Sequence, residues 1–166
     1  MPLRRFQVEP IPRLQQSTRR GLAFLICFSD PAIDAKAVYE GLDDTKRTLV
    51  RNRFDHWIQG GVFPKYFHGW DDPNYRECFV FKWKDNDQHQ RLYGFLIHPR
   101  PKTAPRFEVC VLVSHAQKNA EATDPSELNG AKAVRQNVEV VLEVKKAYPE
   151  IEAGRDNGNT LDRGKH

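Results

Sequence analysis

The chain of 166 residues has only three cysteines and one methionine. Cys27, Cys78 and Cys110 each stand within an apolar run, and no two form a Cys-x-x-Cys pair. They read as small core residues of a chain kept in a reducing compartment, which predicts a cytoplasmic protein and argues against a disulfide scaffold. No apolar run is long enough to span a bilayer, so no membrane association is expected. Residues 22–28 are apolar and follow arginines, but they are too short and too far from Met1 for a signal sequence. The six histidines, at 56, 68, 89, 98, 115 and 166, include no i,i+4 pair and no cysteine at ligand spacing. Neither a metal site nor metal catalysis is expected from them. A Gly-rich phosphate loop and a Gly-x-Ser-x-Gly elbow are also missing, and no cofactor is expected.

Charge is present, and its distribution matters more than its total. The net charge is +4, with a sequence pI of about 9.0. Residues 1–20 hold five Arg and one Glu, with prolines at 2, 10 and 12. They are expected to form a basic, flexible arm able to touch phosphates or an acidic partner. Residues 61–118 carry nine basic and six acidic residues plus four histidines. A basic sheet region between slightly acidic helical regions would attract anions.

Periodicity predicts one α+β domain over residues 21–150. Residues 22–28 are apolar on both faces, as in a buried strand. Ser29-Asp30-Pro31 signals a helix start, and a short helix is expected over 32–39. Residues 45–59 carry apolar side chains at helical spacing behind Asp43 or Asp44 and ahead of Gly60-Gly61. Residues 62–74 read as an aromatic loop packed over a sheet edge, with base stacking beside Lys65 and His68 as the alternative. Strands follow over 75–84, 92–97 and 107–113, the first two joined by the polar turn DNDQHQ. A long helix is expected from Pro125 to Tyr148, capped by Thr123 or Asp124, and a disordered polar tail from 151. The predicted architecture is strand, helix, helix, three-strand meander, helix, with the helices packed on a curved antiparallel sheet.

The last two strands are joined by HPRPKTAPR, a connection whose three prolines cannot continue a central ladder. Polar groups gather at the ends of this hairpin: Arg91, Tyr93, His98, Arg100, Lys102, Arg106, His115 and Lys118. Cations beside a tyrosine and histidines are the groups needed to hold and cut a phosphodiester. Ordinary solvated surface charge is the simpler account of the same residues.

The element order resembles the RelE/ParE toxin superfamily, and within it the HigB-like, phage-derived branch. Local sequence carries the likeness. An acidic-aromatic strand runs from Arg76-Glu77 to Trp83, followed by Arg91-Leu92-Tyr93-Gly94-Phe95. An apolar strand from Phe107 to Ser114 then leads into His115-Ala116-Gln117-Lys118, and Asp124-Pro125-Ser126-Glu127 opens a helix with Ala131 following. The likeness spans about residues 22–148. The family often has two adjacent lysines where this chain has Lys118-Asn119, and the loop from His98 to Arg106 is longer and richer in proline. The resemblance implies a RelE-like fold and a toxin-like endoribonuclease acting on mRNA, on the ribosome, and held inactive by an antitoxin. It also implies metal-free cleavage, in which the 2′-OH attacks the adjacent phosphorus. Lys118 and Arg91 would then hold phosphate charge and His115 would transfer a proton. Tyr93 or His98 would be a second proton-transfer or stacking group, and Lys82, Lys84, His98, Arg100, Lys102 and Arg106 would bind substrate. The alternative is a non-catalytic module on the same scaffold that binds nucleic acid or protein.

Overall fold

The computed structural model describes residues 5–98, 107–118 and 125–151. Its strands are β1 (Phe6–Pro10), β2 (Arg20–Cys27), β3 (Phe67–Gly69), β4 (Cys78–Asp85), β5 (Gln88–Ile97) and β6 (Glu108–Lys118). Its helices are α1 (Ala35–Glu40), α2 (Asp44–Ile58), α3 (Pro125–Arg135) and α4 (Val138–Ala147), with a 3-10 turn at Pro73–Tyr75. The strands form one open sheet in the order β1-β2-β6-β5-β4-β3. The expected meander is present as β4–β5–β6. The sheet is mixed, however, because β2 runs parallel to β6, with Leu22 opposite Cys110. An all-antiparallel sheet was the expectation. The chain instead leaves β2 through two helices and comes back through the meander, so β6 lies alongside β2 in the same direction.

Local chemistry sets most of these boundaries. Asp43 caps α2 by accepting from the Lys46 amide at 2.8 Å, and Gly60, at φ +91°, follows its end. Asn86 and Asp87 both adopt positive φ, the two-residue hairpin geometry that matches strand twist. Asn137 accepts from the Glu139 and Val140 amides. It thereby opens a new helix where one continuous helix over 125–148 was expected, since a capping side chain favours breaking the helical run.

Two further expectations change. Residues 6–10 of the supposed flexible arm form β1, paired antiparallel with β2, because Phe6 and Val8 find an apolar layer under α4. Ile11 is buried in the opposite layer, and the Asp55 carboxylate holds the Gln15 amide. Within the expected loop 62–74, Phe67–Gly69 add a short strand to β4. Of the expected polar tail, only Ile151 is among the described residues, and it is buried.

Helices α1 and α2 cover one face of the sheet, where Phe54 is fully buried with its ring edge-on to Phe81 at 4.9 Å. Removing such a ring costs about 3–5 kcal/mol. Helices α3 and α4 cover the other face, through Leu128, Ala131, Val140 and Val144. Beyond α4, the Tyr148 hydroxyl donates to the Leu22 carbonyl at 3.0 Å. The Tyr148 ring lies where a Cβ on Gly21 would stand, and burial raises its hydroxyl pKa.

Candidate functional site

Strand register decides which predicted residues can meet. Directly paired residues of an antiparallel ladder share a face. Lys84, His89 and Lys118 form one row across β4, β5 and β6, and Lys82, Arg91 and Ala116 form the next. Val80, Tyr93 and Ser114 form a third. All three rows point to the α3 face, where Tyr93 and Val80 pack against Leu128 and Ala131. His115 lies opposite Leu92, whose side chain belongs to the α2-side core, so His115 faces the other way. Three of the four expected catalytic residues therefore share a face and the fourth does not. His115 and Lys118 stand on β6 itself, which runs five residues past the expected end, and not in a turn.

Gly94 and Val113 fix this phase. Partners step from Tyr93–Ser114 to Gly94–Leu112, leaving Val113 as the extra residue of a bulge. A Cβ on Gly94 would stand 2.2 Å from the Val111 carbonyl oxygen, so the strands approach here only because the side chain is missing.

Burial separates the three residues on the shared face. Tyr93 is 0 % exposed, roofed by α3 and stacked on Trp70 at 6.5 Å. Its hydroxyl accepts from the Arg91 guanidinium at 3.3 Å. Arg91 is 2 % exposed. Tyr93 is thus closed to a nucleotide, and Arg91 lies at the base of a groove of about 570 Å³. This groove runs from α2 around β4, which β3 covers only at Phe79–Phe81. Arg53, Lys65, Lys82, Lys84, His89 and Arg91 line it together with Tyr66, and no carboxylate does among the described residues. The Arg53 guanidinium lies 3.7 Å over the Tyr66 ring and donates to the Lys82 carbonyl at 2.6 Å. Burial lowers the Arg53 pKa from its ordinary value, and Tyr66 opposes the shift. His68 is held below the usual histidine value by burial, and the fields of Lys82 and Arg91 add to the shift.

The remaining expected residues do other work. The His115 ring nitrogen Nε2 is 2.6 Å from the Gln90 side-chain oxygen. The Gln90 amide donates to Gln117 at 2.9 Å, and the His115 backbone amide donates to Asp34. Burial lowers the His115 pKa and Asp34 partly opposes it, so this is a neutral polar chain under the α2 side. His98 was expected to bind substrate. Instead its two ring nitrogens face Glu77 at 3.1 Å and Glu108 at 3.2 Å. Arg135 and Arg20 brace those two carboxylates, so His98 ties β5, β6 and α3 together. Arg100, Lys102 and Arg106 lie outside the described residues.

Sequence reading missed Arg53, Tyr66 and His89 as site residues. Each stands in a separate segment and becomes a neighbour only through pairing. Neither Cys78 nor Cys110 has a nucleophilic setting: burial pushes the Cys78 thiol up to about 11 and raises Cys110 as well. Among the described residues no three His, Cys, Asp or Glu side chains gather as a metal-binding group, and no helix is long and apolar enough to cross a membrane. Comparison with protein-family models, curated proteins and solved structures returns no match.

Proposed function

We propose that this protein binds single-stranded RNA through the basic groove, on a RelE-like scaffold. One observation carries the reading: six basic side chains from α2, the 62–66 loop, β4 and β5 converge on a single groove that no described carboxylate lines. Such a groove follows a phosphate backbone, and an aromatic ring at its wall stacks a base. Tyr66, already under a guanidinium, is that ring here. An mRNA strand, met on the ribosome, is the ligand this chemistry and the family resemblance together favour, and an acidic antitoxin segment would compete for the same cations. The test is fluorescence anisotropy with a single-stranded RNA about ten nucleotides long, titrated at several salt concentrations. Lys65→Glu with Lys84→Glu is expected to weaken binding about a hundredfold and to flatten the salt slope by roughly two. Unchanged binding would end the proposal.

Cleavage is the second reading, favoured by the row that sets His89 directly between Lys84 and Lys118. An imidazole can take the 2′-OH proton near neutral pH while the flanking cations hold the developing phosphate charge. The 2′-oxygen then bonds to phosphorus as the P–O5′ bond breaks, and the 5′-oxygen takes a proton from water, giving a 2′,3′-cyclic phosphate end. His89→Ala should abolish that product and His115→Ala should not. Loss with His115→Ala alone would sink this assignment of the proton-transfer group.

A further inference from the structure

Building on the RNA-binding reading of the basic groove, we infer that its ligand is a weakly stacked, uridine-rich single strand and that Phe63 sets this preference. Val62 is 81 % exposed and Phe63 37 % exposed, although both are large and apolar. They directly precede Pro64, Lys65 and Tyr66, which line the groove. An apolar step beside a row of cations suits a ligand with charge along one side and flat apolar faces along the other. A single strand of RNA has both.

The backbone holds the Phe63 and Tyr66 rings at a set angle. Residues 63–66 form a turn with Pro64 at its second position, where the proline ring fixes φ in advance. The Phe63 carbonyl accepts from the Tyr66 amide at 2.8 Å and from the Phe67 amide at 3.0 Å. Phe67 is buried, and the Tyr66 carbonyl accepts from the Lys82 amide of β4 at 2.8 Å, so the turn is moored to the sheet. In this frame the two ring centroids lie 4.3 Å apart with 78° between the ring planes. A base stacked on a ring lies parallel to it, so bases on Phe63 and on Tyr66 are nearly perpendicular to each other. Neighbouring nucleotides can do this only when they are unstacked. Adenine runs are stacked in the free strand and lose that stacking on binding, whereas uridine runs have little to lose. Grooves of this kind acquire sequence preference in that way, from stacking strength and backbone flexibility. Because the turn is held before the strand arrives, little ordering opposes binding.

Fluorescence anisotropy on the full chain tests this, with labelled oligouridine and oligoadenine strands each about ten nucleotides long. Oligouridine should bind roughly fivefold tighter than oligoadenine or better. Phe63→Ala should weaken oligouridine about fivefold and oligoadenine less, bringing the two affinities together. Phe63→Trp should keep the preference. Phe63 is on the surface, and circular dichroism should show unchanged folding in both variants. Oligoadenine bound by the parent as tightly as oligouridine would overturn the inference, and so would a preference that survives Phe63→Ala. Where charge reversal at Lys65 and Lys84 still weakens both oligomers in those cases, RNA binding stands, only the preference falls, and Val62 and Phe63 are left to a protein partner. If neither oligomer binds, the RNA-binding reading fails and this inference with it.

Discussion

The two faces of the β4–β5–β6 meander carry opposite chemistry within one stretch of sequence. Toward α2, Gln90, Gln117 and His115 join in a neutral chain beside Trp83. Toward α3, the residues alternating with them, His89, Arg91 and Lys118 with Lys82 and Lys84, form two basic rows. A buried polar group must find a partner, because it loses its water; Gln90 finds His115 and Gln117 on the one side, and Arg91 finds the Tyr93 hydroxyl on the other. The same strands, past the end of the α3 roof, can hold cations along a groove. Residue type alone therefore does not nominate a site on a strand, since the parity of the position decides which face of the sheet, and which neighbours, a histidine joins.

The largest effect is expected from Gly94→Ala, which forces a Cβ against the Val111 carbonyl at the bulge that keeps the faces in phase. Its cost should be about 3 kcal/mol, read as a drop in the urea midpoint. Next is His115→Ala, which leaves the buried Gln90 side-chain oxygen without its His115 partner. A stability loss of about 1–2 kcal/mol is expected, with RNA affinity unchanged. A fall in affinity without loss of stability would merge the two faces into one site. Tyr66→Ala should reduce single-strand affinity by about 1 kcal/mol, roughly fivefold, and duplex affinity by less. The smallest expected effect is on pH dependence. His115 and His68 have folded pKa values below the unfolded value of about 6.5, so the unfolded chain binds more protons as pH falls. Their contribution is fully present above that value and is lost as pH falls through the lowered folded values. Chemical denaturation between pH 7.5 and 5, roughly, should show this, and His115→Gln should flatten the slope.

Much of the frame was legible. Asp43 ahead of an amphipathic run marked α2, and Asp85-Asn86-Asp87-Gln88 between two apolar runs marked the hairpin. What escaped depended on pairing. β6 is apolar on both sides from Val109 to Val113, so no alternation told which way His115 would point, and the bulge at Val113 shifts the count by one. Prolines at 10 and 12 made the N-terminal segment look unstructured, although Pro10 ends an edge strand, a position where a missing donor is tolerated. The groove draws on four separate stretches, and no local spacing links Arg53 to Lys82 or Tyr66. Likewise the carboxylates that hold His98 come from Glu77 and Glu108, on either side of it in sequence.

Tyr148 reaches the Leu22 carbonyl across 126 positions of sequence, and β2 also needs β6 at its flank. One face of the first long strand made by a ribosome, that of Leu25 and Cys27, therefore waits for α4 and Tyr148 before it is covered. A nascent chain released before residue 148 would present Leu25 and Cys27, which pack against Val140, Val144 and Tyr148, to chaperones and proteases. Contacts of such long range slow the search for the native topology, so the interval between synthesis of β2 and arrival of Tyr148 is when this protein is most exposed to aggregation.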